Sequence, residues 1–303
     1  MSALAKGAGV ASGRLAGGTG PRSTSRITPR KRAQRGAFFV LMTLFVLASM
    51  FPFYWIVITS LKTQNEINQG TTSLLPGHIT WSNYVTDFTK EDFIRPLLNS
   101  AVVALSTTVL TVVIASLAGY ALARTQMRGK TLVLGFILAA NFFPIIAMVG
   151  PLFIAYRRLG LLNSYPALMI SCLIYTLPLA TWLLTSYFSQ IPRSLEEAAL
   201  VDGSGRLRTL RKVIMPVALP GVFTAAILSF MLTWNDFTFA LSFMSTPDKF
   251  TAPLAIVNLG QSQYQTFYNL IDAAVVIISI PIALIVIFAQ RRIVTGLTAG
   301  SFR

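Results

Sequence analysis

Apolar positions along this chain come in long runs rather than in a short alternation. Six stretches, at about 37–59, 100–122, 132–154, 165–188, 222–243 and 270–288, carry almost no charge. At a rise of about 1.5 Å per residue, each is long enough to cross a hydrocarbon core about 30 Å thick. Lipid offers the backbone no hydrogen-bond partner, so only helices and closed barrels span it. Barrel strands alternate apolar and polar residues, and these runs do not. The pattern therefore predicts an all-α integral membrane protein with six transmembrane helices over 37–290. Residues 1–36 precede them as a basic segment read as disordered, and 291–303 follow as a tail. Pro52, Pro144, Pro151, Pro178 and Pro281 fall inside the runs. Each removes a helix hydrogen bond and can kink its helix. The third run, "NFFPIIAMVGP", is the most interrupted. A bundle with this many kinks suits a path that rocks open and closed.

Between the fourth and fifth runs the pattern changes to "SLEEAALVDGSGRLRTLRKVIMP", residues 194–216. Ser194 and Glu197 have the S-x-x-E spacing of a capping box, which predicts a helix start at Ser194. Leu195, Ala198 and Ala199 share one face of that helix. Asp202-Gly203 predicts its end, because glycine takes the left-handed position after a helix without strain. A second helix follows, with Leu207, Leu210 and Ile214 as its apolar stripe and Arg206, Arg208, Arg211 and Lys212 around it. The expected product is an elbow of two short helices, residues 193–216, lying at one membrane face.

Charge tells which face. The net charge is +15, and 19 of the 25 Lys and Arg residues fall on the side that holds the termini and the elbow. The positive-inside rule places that side in the cytoplasm. Such a distribution argues for membrane lipid, not nucleic acid, as the partner of the basic residues. The run "RITPRKRAQR", 26–35, abuts the first apolar run and suits anionic headgroups. No cleavage pattern follows that run, so a secretory signal is not indicated.

Little in the composition suggests catalysis. One His and one Cys, His78 and Cys172, lie far apart and make a metal cluster or a nucleophile–base pair implausible. "RGKT", 128–131, lacks the glycine that a phosphate loop needs five positions earlier, where Arg124 stands. Asp236 is the clearest ionisable residue within an apolar run, where a carboxylate costs about 2.5–3.5 kcal/mol. Asp236 and its neighbours Trp234 and Asn235 either line a solute path or hold the bundle together, and the sequence leaves both open. Asn141 carries the same ambiguity. A proton relay would need several spaced ionisable groups, which disfavours the alternative of a self-sufficient secondary carrier or channel.

The elbow resembles the EAA loop of ABC importer permeases. The match runs through Glu197-Ala198-Ala199, Gly203, then Val213, Met215 and Pro216. Val213 and Met215 stand where that family usually has Ile and Leu, a conservative departure. "TWNDFTFAL" and the ending "QRRIVTGLTAGSFR" are similar to the sugar-transporting branch, in particular the smaller permease of maltose-type systems. The resemblance covers nearly the whole chain after residue 36. It implies the binding-protein-dependent ABC permease fold in a bacterial inner membrane, and a carbohydrate, expected to be an oligosaccharide, as the cargo. It also implies a heterodimer with a second permease, two ATPase subunits and an extracytoplasmic sugar-binding protein. ATP and Mg would then sit on the ATPase, with no cofactor on this chain. Glu196 and Glu197 would face basic residues of the ATPase, and Ala198 and Ala199 would allow close packing. Asp202 and Gly203 would shape the turn. Gly296, Leu297, Thr298 and Gly300 would reach toward the ATPase. Gln261, Ser262, Gln263 and Tyr264, in the third outer loop, would contact the binding protein.

Overall fold

The computed structural model describes residues 29–69, 73–89, 92–259 and 266–298. The chain divides into two compact units, Met1–Pro52 and Phe53–Arg303. Helix α1, Pro29–Ser60, begins inside the basic stretch rather than at the first apolar residue. Arg, Lys, Ala and Gln are all good helix formers, so nothing stops the helix earlier. Its apolar residues from Phe38 to Phe51 are exposed, as lipid-facing side chains should be.

The second unit continues with α2 (Gln64–Asn68), α3 (Ser82–Thr89) and α4 (Ile94–Arg124). Helix α5 (Lys130–Ala139) ends in a tight turn, Ala140–Phe142, before α6 (Ile145–Leu159) and α7 (Tyr165–Gln190). Then come α8 (Arg193–Val201) and α9 (Arg206–Thr209), which runs through a π-turn at Leu210–Ile214 into α10 (Met215–Val217). Helices α11 (Leu219–Trp234), α12 (Thr238–Phe243), α13 (Ala252–Asn258) and α14 (Tyr268–Thr298) complete it. Among the described residues, four helices are long and apolar enough to cross a membrane, or six if each of two bent pairs counts as one span.

The third run bends where its sequence is most interrupted, and a second bend lies just ahead of the fifth run. The third run turns by 88° between Phe142 and Ile145. Phe143 precedes a proline and is extended (ψ 129°), and Pro144 has no N–H to donate, so the helix cannot pass through. The chain also turns by 85° between Val217 and Leu219, just before the fifth run, with Pro216 and Pro220 on either side. That run is then broken again after Trp234, so Asn235 and Asp236 lie in a gap between α11 and α12. Pro52, Pro151, Pro178 and Pro281 do lie inside helices, as expected. Helix α14 runs to Thr298, past the expected boundary at 290.

Helices α4, α7 and α11 form the centre. Their facing sides are small and weakly polar. On α4, Ala104, Thr107, Thr111 and Ala115 are fully buried, and the Thr111 and Thr176 hydroxyls are hydrogen bonded at 2.9 Å across to α7. A Cβ on Gly119 would stand 3.1 Å from the Thr185 backbone nitrogen. Helices in lipid associate through close packing of small residues, since apolar bulk gains nothing there.

The loops at the end of the bundle away from α8 are tied down. Asn99 Nδ2 donates to the carbonyls of Asp248 (3.0 Å) and Phe250 (2.9 Å), and Lys249 Nζ to that of Asn163 (2.7 Å). The described part of the third loop is thus tied to α4 and to the turn before α7. Gln261, Ser262, Gln263 and Tyr264 lie outside the described residues.

Candidate functional sites

The elbow is built from both ends inward. Helix α8 starts at Arg193, with Pro192 in the capping position (φ −55°, ψ 134°) and no side-chain cap. Pro192 already supplies the extended backbone that a cap requires, so Ser194 falls inside the helix and the predicted capping box does not form. The end of α8 is as expected. Gly203 takes φ +77°, its N–H bonds to Leu200 O at 3.0 Å, and the Ser204 N–H bonds to Ala199 O at 2.9 Å. This is the paired closure that satisfies the last carbonyls of a helix. A Cβ at Gly203 would meet nothing within 4 Å, so any penalty there comes from backbone strain alone. Gly203→Ala is therefore expected to cost about 1–2 kcal/mol locally. Faster hydrogen exchange at the Ser204 amide checks it, and Gly203→Asn should lose less.

Glu196 and Glu197 part company. Glu197 and Ala198 are exposed, whereas Ala199 is buried rather than open for packing. Glu196 is turned inward: its Oε2 lies 2.9 Å from Arg124 Nε at the end of α4, and its Oε1 accepts the Tyr120 hydroxyl. The second leg is anchored too. Leu210, Ile214 and Ala218 belong to the same core cluster as Tyr120, Leu184 and Phe188. Leu207, expected in the buried stripe, is instead 69% exposed, and Val201 is 87% exposed. The tip of the elbow thus offers Ala198, Leu200, Val201 and Leu207 to the outside, a small apolar surface beside the exposed acids Glu197 and Asp202. Sequence reasoning missed Val201 and Leu207 as surface groups and Tyr120 and Arg124 as the partners of Glu196. The four-residue spacing of Tyr120 and Arg124 on one helix face was the available signal. Gly296, Leu297 and Thr298 lie on the last turns of α14, and Gly300 lies outside the described residues.

A second site lies within the bundle. A cavity of about 810 Å³ opens between the α5–α6 bend, α7, α11 and the gap before α12. Asn141, Asn235 and Asp236 all line it, so the fold brings together three of the four polar-path candidates, from the third and fifth runs. Phe142, Tyr175 and Phe237 supply aromatic faces, and Thr238 a hydroxyl. Tyr175 and Leu179 lie near the middle of the 26-residue α7, which puts the cavity at mid-membrane depth. The Asp236 carboxylate accepts the Ala240 N–H at 3.2 Å, so it caps α12 while facing the cavity. Trp234 is the exception. It is buried, stacks on Phe230 at 5.4 Å and donates its indole N–H to Ile278 O at 3.2 Å, so it holds α14 to the bundle. Pockets of this size, mostly apolar with a few converging polar groups, suit a small polar ligand.

Comparisons with known proteins agree with this architecture. Residues 111–298 match the family described as binding-protein-dependent transport system inner membrane component. The chain is 40% identical over 265 residues to the sulfoquinovosyl glycerol transport system permease protein SmoH of Agrobacterium fabrum, covering 88% of this chain and 93% of that one. It is 41% identical over 273 residues to the trehalose transport system permease protein SugB of Mycobacterium tuberculosis (89% and 99% covered). It is 36% identical over 262 residues to the trehalose/maltose transport system permease protein MalG of Thermococcus litoralis (86% and 94% covered). Among solved structures it is similar to a chain of a bacterial ABC transporter involved in the import of the acidic polysaccharide alginate. There the TM-score is 0.75 at 25% identity, covering 87% of this chain and 98% of that one.

Proposed function

This chain belongs to the binding-protein-dependent transport system inner membrane components, and on that premise we propose how its two sites divide the work of a carbohydrate importer. The chain is a multi-pass permease subunit of an ATP-driven ABC importer. It is not itself an enzyme; ATP is hydrolysed by a separate subunit. The relatives carry trehalose, maltose or sulfoquinovosyl glycerol by name, which favours an oligosaccharide or glycoside as cargo here.

In this reading the chain pairs with a second, different permease and rests on two ATPase subunits that bind ATP and Mg. An extracytoplasmic sugar-binding protein delivers the cargo. Both termini and the elbow lie on the cytoplasmic side, following the excess of basic residues there. The elbow tip enters a cleft of the ATPase: Glu197 meets a basic residue, Ala198 permits close approach, and Val201 and Leu207 bury their apolar surface. Asp202 and Gly203 keep the tip compact. Gly296, Leu297, Thr298 and Gly300 extend toward the ATPases, and Gln261, Ser262, Gln263 and Tyr264 contact the binding protein. The observation that carries the reading is an exposed tip on two legs, one packed into the core around α4 and α7 and the other joined to the end of α4 through Glu196. A push on the tip is therefore a push on the bundle.

The cavity is this chain's share of the sugar path. Asn141, Asn235 and Asp236 offer hydrogen-bonding groups to sugar hydroxyls, and Phe142, Tyr175 and Phe237 offer flat apolar faces. A hydrogen bond to a charged group contributes about 1.5–3 kcal/mol. Asp236→Asn retains an oxygen to cap α12 but loses the charge. It is expected to raise the KM for sugar uptake about tenfold or more while the assembled complex is recovered in normal amount. The test is ATP-driven uptake of labelled trehalose and maltose into proteoliposomes that hold the full complex and binding protein. Uptake by this chain without ATPase or binding protein would instead support a self-sufficient carrier. Unchanged KM in Asp236→Asn would remove Asp236 from the path.

A further inference from the structure

We infer that Tyr120, Arg124 and Glu196 form an internal strut that makes the elbow move with helix α4, rather than Glu196 serving as a contact for the ATPase; this rests on the coupling reading above. Both carboxylate oxygens of Glu196 are occupied within the chain, one by Arg124 Nε at 2.9 Å and the other by the Tyr120 hydroxyl. The same guanidinium donates from Nη1 and Nη2 to the Ile191 carbonyl, both at 3.1 Å. Ile191 closes α7, so one arginine joins the end of α4, the end of α7 and the first turn of α8. The ring of Tyr120 stands edge-on to Phe188 at 6.2 Å, which fixes the donor against α7. The side chains of Arg124 and Glu196 are only 11% and 14% exposed. Surface ion pairs contribute little, but a pair largely shielded from water resists separation, because parting it leaves two poorly solvated charges.

The geometry divides the two adjacent acids by role. Residues one apart on a helix point about 100° apart, so Glu197 can face outward while Glu196 grips α4. Without the strut, α8 would be held only by Pro192, its turn at Gly203 and its packing on the second leg of the elbow, with no polar tie to α4. A displacement of the tip would then be taken up by bending at Pro192 and Gly203 instead of reaching α4, whose small-residue face packs against α7 and α11. Tyr120, Arg124 and Glu196 are positioning residues: none needs to touch sugar or nucleotide.

The experiment uses the complete complex in lipid, with ATPase and sugar-loaded binding protein. The variants are Glu196→Gln, Tyr120→Phe, Arg124→Glu and the exchange Arg124→Glu with Glu196→Arg. Tyr120→Phe keeps the ring on Phe188 and removes a single hydrogen bond, so it reads out the strut even where a charge change disturbs folding. Retention of the ATPase on the tagged chain, stimulation of ATP hydrolysis by the binding protein, and sugar uptake are measured together. Glu196→Gln and Tyr120→Phe are expected to keep the ATPase at the wild-type ratio. Both should lower stimulation and uptake within the about 5- to 150-fold range of coupling effects, the tyrosine change least. The exchange should recover part of what Arg124→Glu loses, which a packing defect would not do. Loss of the ATPase from Glu196→Gln would make Glu196 a docking residue and overturn the strut. Wild-type stimulation and uptake in Glu196→Gln would overturn it as well. An ATPase that fails to associate even with the wild-type chain would sink the coupling reading itself, and the strut with it.

Discussion

Gly221→Ala is expected to destabilise the folded chain by about 1–3 kcal/mol and to lower its melting temperature. A Cβ at this position would stand 2.4 Å from Cγ of Tyr187 and 2.6 and 2.7 Å from its Cδ2 and Cδ1. Cγ is the root of the ring, so the side chain cannot swing its tip aside; the ring must change rotamer or α11 must back away from α7. Both responses disturb the core cluster in which Tyr187 packs beside Leu184, Phe188 and Ala225. Overpacking of a tight core costs about 1–3 kcal/mol, and each 1.4 kcal/mol is about tenfold in the folded-to-unfolded ratio. Thermal unfolding of the detergent-solubilised chain measures the loss. Tyr187→Ala should itself destabilise by leaving a cavity, yet Gly221→Ala with Tyr187→Ala should lose less than the two single changes summed. An unshifted melting curve for Gly221→Ala would mean that α7 and α11 do not approach as closely as described.

Glu197→Lys should produce the largest loss of function with little loss of stability. Glu197 is exposed at the elbow tip, and surface substitutions away from packed features usually change stability by less than about 0.5 kcal/mol. If Glu197 pairs with a basic residue in the ATPase cleft, reversal removes an attraction and adds a repulsion. Losing one partner of a buried charge pair costs about 2–5 kcal/mol or more at an interface, which weakens association about thirtyfold or more. The expected result is a chain that accumulates and melts normally, keeps its partner permease, loses the ATPase on purification and shows no ATP-driven uptake. High salt should weaken the wild-type association in the same direction, because exposed charges are screened. Retention of the ATPase by Glu197→Lys would move the docking contact elsewhere on the elbow.

These two residues illustrate what a single sequence can convey. That Glu197 sits on a short polar helix between two apolar runs was legible, because a dense charge cluster in a chain with only 12% charged residues cannot lie in lipid. The left-handed turn at Gly203 was legible as well, since it depends on local backbone preference. Gly221 drew no attention, because a glycine in an apolar run looks like any other small residue until a ring from another helix is placed against it. The capping box at Ser194 misled for a related reason. The spacing was right, but Pro192 started the helix first.

By itself, the sequence determined that this protein lives in a membrane, how many apolar runs it has, and that the side carrying the elbow is the basic one. Those properties follow from transfer energies and charge counts, which add up residue by residue whatever the neighbours are. Only the tertiary structure decided that the third run bends by 88° at Pro144, that Trp234 holds α14 while Asn141, Asn235 and Asp236 share a cavity, and that Glu196 faces inward and Glu197 outward. Each of these depends on which side of a helix meets another helix. That is set by the fit of small residues on α4, α7 and α11 across long sequence separations, and no single run contains its own partner.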